Sequence, residues 1–240
     1  YLEAQRQGVK PIIGCETYIA PNSRFEKKYE GLQETSNHFI LLAKDEEGYR
    51  NLMYLISTAY LDGFYYRPRI DKEILSQKSK GLIGLTACLK GKLACLIREN
   101  QFNEALKTAD EFSQIFGKGN FYLELMENGI PEQKIVNLGL LKISKELNLP
   151  IVATNDTHYL TKDKSRAHEA LLCIQTQTTL QDPSHMRFQT QEFYFKSPEE
   201  MKELFKELPE AITNTIEISE KCNLELNFKQ IHLPRYETPV

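Results

Sequence analysis

Short apolar runs alternate with amphipathic stretches of helical length along most of this chain, and that alternation constrains the fold more than any other feature. Residues 11–20 (PIIGCETYIA), 37–44 (NHFILLAK), 81–88 (GLIGLTAC), 121–126 (FYLELM) and 151–156 (IVATND) have the length and composition of buried strands. Between them, Glu46 to Leu61 sets Leu52, Leu55 and Ile56 on one helical face. Residues 101–116 repeat Phe102, Ala105, Leu106, Ala109, Phe112 and Phe116 at helical spacing, with Gly117 as a C-terminal stop. Pro131 opens a further helix carrying Val136, Leu140, Ile143 and Leu147. Strands separated by helices of this length predict an α/β fold, with a largely parallel sheet or barrel.

The polar stretch 22–36 reads as a loop. After about residue 175 the pattern changes. EFYFKS (192–197) is one short strand-like piece, and Ser197-Pro198-Glu199-Glu200 spells a capping box with Pro at the first helical position. A last helix is predicted from near Pro209 to about Cys222, and IHLPRYETPV, with two prolines, reads as an exit linker.

Composition narrows the classes. With 41% hydrophobic and 26% charged residues the chain reads as a soluble globular protein. No apolar run approaches the roughly 20 residues needed to span a bilayer. The opening YLEAQRQGVK is polar and helical rather than a signal peptide, and without an initiator Met the sequence reads as one that starts inside a domain. A net charge of −3 argues against a dedicated DNA-binding module, but not against a nuclease, because bound cations can meet a phosphate. Five cysteines, at 15, 88, 95, 173 and 222, show no CxxC spacing and fit a reduced, cytoplasmic setting.

The residues with chemical potential sit at strand ends. Asp156 and His158 are two apart after the apolar IVAT, so in extended chain they face one point at the strand's C-terminal end, where barrels and open α/β sheets place their sites. A carboxylate and an imidazole there are competent ligands for Zn, Mn or Fe. The plainer alternative is a turn-capping Asp and a surface His. Glu16 lies within an apolar strand, where an unpaired carboxylate is costly to bury; it either meets a cation or points to solvent. Cys88 ends its strand as a thiolate ligand or a core residue. His38 stands at the start of its strand, and comes near Glu16 only if 37–44 runs antiparallel to 11–20. Tyr65, Tyr66, Arg67 and Arg69 crowd one short segment, a combination suited to single-stranded nucleic acid, or else to packing with the arginines paired to acids.

GVKPIIGCE (8–16), HFILLAKDEEGYRNL (38–52), GFYYRPRID (63–71), GLIGLTACLKG (81–91), LPIVATNDTHYL (149–160), SPEEMKELF (197–205) and PEAITNTIEISEKCN (209–223) together resemble the PHP (polymerase and histidinol phosphatase) superfamily. Within it, the run 63–71 and the C-terminal helices are most similar to the N-terminal PHP domains of bacterial replicative C-family DNA polymerases. The resemblance covers essentially the whole chain. It implies a distorted (β/α)7 barrel, lacking its first strands in this chain, with a helical C-terminal extension. Residues 1–232 would form the PHP domain, the extension beginning near 176, and 233–240 a linker toward the polymerase palm.

It also implies a cluster of up to three divalent metal ions at the barrel's C-terminal rim. Glu16 matches the bridging carboxylate, and His38, Cys88, Asp156 and His158 match four further ligand positions. Asp156 and His158 carry the catalytic assignment, by holding the ion that binds phosphate during metal-assisted phosphodiester hydrolysis. The family's HxH motif and an Asp-His pair precede the first helix and have no counterpart in this sequence. His168, His185 and His232 match no ligand position, and Cys15, Cys95, Cys173 and Cys222 read as packing residues. The function implied is that of a DNA-directed DNA polymerase (a nucleotidyltransferase of DNA replication) with a metal-dependent 3′–5′ exonuclease or phosphoesterase site. The partners would be the rest of the polymerase chain, DNA and other replicase subunits, with no membrane. The alternatives are a non-catalytic scaffold that stabilises the polymerase or docks a proofreading subunit, and a stand-alone PHP phosphatase.

Overall fold

The computed structural model describes residues 1–28, 36–229 and 233. His232, residues 29–35 of the expected loop and all of the expected linker except Leu233 lie outside them. A short helix α1 (Leu2–Arg6) leads into β1 (Gly14–Ile19), β2 (Asn37–Ala43), α2 (Glu46–Leu61), β3 (Arg69–Ile70) and α3 (Lys72–Lys78). Next come β4 (Leu82–Leu85), α4 (Lys92–Arg98), α5 (Phe102–Phe116), β5 (Phe121–Met126), α6 (Pro131–Leu147) and β6 (Ile151–Thr154). The chain then adds α7 (Ser165–Thr176), α8 (Pro198–Leu204) and α9 (Pro209–Lys221). Among the described residues no helix is long and apolar enough to cross a membrane.

The strands form one six-stranded sheet in the order β3-β1-β2-β4-β5-β6. β2 is antiparallel to both its neighbours, β1 and β4, while β1–β3, β4–β5 and β5–β6 are parallel. This corrects the expected barrel: among the described residues the sheet is open, with the two-residue β3 and the four-residue β6 as its edges. Closing it would require those edges to hydrogen-bond to one another, or to further strands, and neither pairing is formed. The sheet is also mixed rather than largely parallel, since β1 and β2 are consecutive neighbours without a crossover helix.

The two faces of the sheet carry different loads. On one, Phe39, Leu41, Ala43, Leu82, Phe121, Leu123, Leu125, Ile151 and Ala153 pack into the main core with Leu52 and Leu55 of α2, Phe112 and Phe116 of α5, and Val136, Leu140 and Ile143 of α6. Its aromatic centre is Phe39, whose ring lies 4.8 Å from Phe112, 5.7 Å from Phe116 and 6.3 Å from Phe121. On the other face Ile83, Leu85, Tyr122 and Val152 form a smaller cluster, flanked by Ile40 and Leu42 and covered by Ile218 of α9 and by Cys222. The alternation of side chains along a strand explains the split: odd positions of β2 and β5 enter the helical core and even ones face α9.

Local chemistry ends and starts these elements where the residues dictate. The Asp45 side chain accepts the Gly48 N–H to cap α2, and Asp71 accepts the Ile74 N–H to cap α3. Asp71 also pairs with Arg24 at 3.0 Å, deep enough that its side chain is almost fully buried. Ser197 and Glu200 form the capping box at α8 in full. A Cβ on Gly48 would stand 1.9 Å from the Gly81 carbonyl oxygen, so this contact admits glycine alone. EFYFKS, expected to be extended and paired, makes only an isolated bridge between Tyr194 and Tyr159. Opposite ends of the sequence are tied together: the Leu226 N–H donates to the Tyr1 hydroxyl at 3.0 Å, and the Lys10 ammonium donates to the Ser219 carbonyl at 2.6 Å.

Candidate metal centre

The pairing of β1 with β2 aligns Tyr18 with His38 and Glu16 with Ile40. Directly opposed residues of an antiparallel pair share a face, so Glu16, Tyr18, His38 and Ile40 all project to the α9 side of the sheet. His38 Nδ1 lies 3.1 Å from Glu16 Oε1. The antiparallel arrangement that the sequence required for this contact is the one formed. Tyr18 packs edge-on against the His38 ring at 5.2 Å, and the Arg67 guanidinium donates to the Tyr18 hydroxyl at 3.0 Å. His38 is thus held on two sides.

Cys88 lies just beyond β4, and its sulfur is 3.8 Å from His38 Nδ1. Asp156 and His158 lie just beyond β6. Asp156 has a left-handed backbone (φ 48°), so the strand ends at Thr154 and the chain turns before His158. His158 Nδ1 lies 2.8 Å from the Asp156 carbonyl oxygen and 4.0 Å from its carboxylate. A carbonyl only accepts, so Nδ1 carries the proton and Nε2 of the neutral ring keeps the lone pair a metal would use. The ring is wedged among His168, Phe188 and Phe193, with centroids 5.5, 4.8 and 5.5 Å away.

Glu16, His38, Cys88, Asp156 and His158 line one cleft of about 310 Å³, together with Lys90, Gln133, Arg187 and Phe188 among others. Four segments far apart in sequence therefore bring these donors to one end of the sheet. Their charges act on one another. The His38 hydrogen bond holds the Glu16 carboxyl below its ordinary range. Burial pushes Asp156 up, against the pull of His158 and with the Glu16 charge adding to the rise. Burial also drives the Cys88 thiol up to about 12.

Glu124 is the residue that sequence reasoning misses. It sits in β5, fully enclosed, beside Val152 of β6, and its carboxyl is pushed up to about 7 by burial, with Asp156 and Glu16 adding to the rise. Its Oε2 is buried without a hydrogen-bond partner. In the run FYLELM an isolated Glu reads as the solvent-facing member of an alternating strand, and no signal in the sequence distinguishes it. Buried carboxylates that raise one another are what a bound cation would relieve. Two carboxylates, two imidazoles and a thiol are a donor set suited to Zn, Mn or Fe. Among the described residues, though, no three His, Cys, Asp or Glu side chains are drawn into a ready coordination shell.

The residues assigned to nucleic acid divide. Arg67 and Tyr66 are exposed. Arg69 is not: it is 2% exposed, and its guanidinium donates to the carbonyls of Gly63, Arg24 and Glu26. Arg69 is a structural strut, which removes it from any surface that could meet a strand. His185, unassigned in the sequence, is buried against Glu169 at 2.6 Å. Cys173 and Cys222 are buried, whereas Cys15 and Cys95 are half-buried.

The PHP domain family matches residues 1–128. The chain belongs to the PHP domain family. Glu16, His38 and Cys88 fall inside that match, and Asp156 and His158 beyond it. The similarity to curated proteins runs over the whole chain. It is 47% identical over 241 residues to DNA polymerase III subunit alpha of Borreliella burgdorferi, covering 100% of this chain and 21% of that protein. It is 44% identical to the Thermus aquaticus protein of the same name (100% of this chain, 20% of that protein) and 42% identical to that of Treponema pallidum (97% and 20%). This PHP domain thus spans about a fifth of the length of the curated relatives it matches.

Proposed function

We propose that this chain is the PHP domain of a bacterial DNA polymerase III alpha subunit, and that its cleft is a metal-dependent phosphodiesterase site of the 3′–5′ exonuclease type. The observation that carries the reading is the convergence of Glu16, His38, Cys88, Asp156 and His158 on one cleft from four separate segments. Glu16 and Asp156 would supply the charge that holds cations, His38 and His158 their Nε2 lone pairs, and Cys88 a thiolate. Bound there, divalent ions would supply Lewis acidity and neutralise the charge that develops on a phosphodiester under attack by water. The chain's own part is to orient these donors: Tyr18 and Glu16 fix His38, and the Asp156 carbonyl with Phe188 and Phe193 fixes His158.

In this reading residues 1–232 form the PHP domain, and residues 233–240 lead toward the polymerase, which acts with DNA and other replicase subunits in the cytoplasm. Metal analysis of the full-length chain, combined with a 3′–5′ exonuclease assay, tests it. Asp156→Ala is expected to abolish both metal content and degradation; degradation that survives the change sinks the catalytic assignment. A second reading, a scaffold that docks the rest of the replicase, is favoured by one observation. Leu171 and Ile174 on α7, one helical turn apart, are 59% and 75% exposed, as an apolar stripe awaiting a partner would be.

A further inference from the structure

Beside the candidate metal cleft lies a second cavity of about 290 Å³, lined by Tyr18, His38, Arg67, Leu89, Lys90 and Arg98, among others. The two cavities are continuous, since His38, Leu89 and Lys90 line both. Three cations surround the second one, and among the described residues none of them is ion-paired. The Arg67 guanidinium donates to the Tyr18 hydroxyl and stacks on its ring, a neutral partner that orients its charge without cancelling it. Arg98 makes only a long contact with the Cys95 sulfur, at 3.8 Å. The Lys90 charge is felt by both Glu16 and Asp156, so it stands at the junction of the two cavities.

We infer that this pocket binds a backbone phosphate of a single nucleic-acid strand, one that lies next to a phosphodiester in the metal cleft. The inference rests on the phosphodiesterase reading and deepens it by assigning where the rest of the strand is held. A phosphate monoester would fill the metal cleft alone and leave Arg67 and Arg98, which form no ion pair among the described residues, beside it without a use. A strand carries further phosphates at the spacing of its residues, and an adjoining pocket lined by cations and a tyrosine ring suits one of them. Arg67 also explains why the segment before β3 is rich in arginine and tyrosine even though Arg69 is buried: the exposed guanidinium is the one that faces the pocket.

Binding of a fluorescein-labelled oligothymidylate to the 240-residue chain, followed by anisotropy in the presence of a chelator, tests this independently of the metal. The variant Lys90→Ala/Arg98→Ala alters two exposed side chains and is expected to melt within about 4 °C of the parent, a shift of roughly 1 kcal/mol for a domain of this size. It should bind at least about fivefold more weakly, and the slope of log affinity against log salt should fall by roughly 0.7, for the one phosphate that is no longer neutralised. Lys90→Arg should retain binding. Affinity and slope unchanged in the double variant would overturn the inference. So would equilibrium dialysis showing that inorganic phosphate binding is lost while strand binding is kept, which would assign the pocket to a free anion. Failure of the phosphodiesterase reading shows elsewhere, as metal content unaffected by Asp156→Ala.

Discussion

His38 and Glu16, 22 residues apart in sequence and on neighbouring antiparallel strands, meet at 3.1 Å on the sheet face that also holds Glu124. That face is apolar toward α9 and acidic toward the cleft. The acidic end is expensive without a cation, and several measurable properties depend on that.

Cobalt titration into the chain should reveal Cys88. Burial keeps its thiol protonated at neutral pH, near 12, so ligation must release a proton and create a thiolate. The expected outcome is a near-ultraviolet thiolate-to-cobalt band in the parent that disappears in Cys88→Ser and on addition of a chelator. A parent spectrum without the band would remove Cys88 from the ligand set.

Glu124 should make the metal-free chain more stable in mild acid than in mild base. Its carboxyl is raised in the fold to about 7 from an ordinary value near 4.5, so the folded state binds the extra proton. The stability it contributes is complete below pH 4.5 and is lost as pH rises through 7. Glu124→Gln should therefore melt several degrees higher than the parent at pH 8, with the difference shrinking toward pH 5. Equal melting temperatures at pH 8 would show that the carboxyl is not penalised by burial.

Arg69 and Arg67 should separate cleanly under urea denaturation. Removing the buried guanidinium with Arg69→Ala strands three carbonyls at once, and a loss of about 3 kcal/mol is expected. Arg67→Ala, at an exposed position, should change stability by less than about 0.5 kcal/mol.

Phe112→Ala empties the aromatic centre between α5 and the sheet. Its ring is 1% exposed and packs on Phe39 and Phe121, so a loss of about 4 kcal/mol is expected in the same assay. Gly48→Ala adds a single methyl group, yet it should cost about 3 kcal/mol or prevent folding, because the obstacle is the Gly81 backbone rather than a side chain that can move.

Much of the fold is legible in the residues. α2 begins and ends at the positions its periodicity sets, because Asp45 is an unambiguous cap before an apolar face. β5 occupies FYLELM without change, and the Ser197–Glu200 box marks the start of α8. His38 can be placed beside Glu16 from strand direction alone. The remainder depends on long-range relations that local pattern does not carry. Whether a sheet closes is decided by its edges, and β3 is only two residues long. EFYFKS has the composition of a strand but lacks a neighbour to pair with. Glu124 and Arg69 look like surface residues because charge normally faces water; their burial comes from what surrounds them, not from their own neighbours in sequence. Lys90 and Arg98 carry no sequence signal of a phosphate pocket and acquire that meaning only beside Tyr18 and His38.

The bond from the Leu226 N–H to the Tyr1 hydroxyl spans 225 positions, and that from Lys10 to Ser219 spans 209. During synthesis at roughly 5–20 residues per second, Tyr1 and Lys10 leave the ribosome some ten to forty seconds before these partners exist. From the time each is made until α9 follows, Ile83, Leu85, Tyr122 and Val152 lack the cover that Ile218 and Cys222 later provide. The nascent chain therefore displays a bare apolar sheet face beside an acidic cleft, and it is in this window, rather than after release, that a chaperone or an early-bound cation has most to protect.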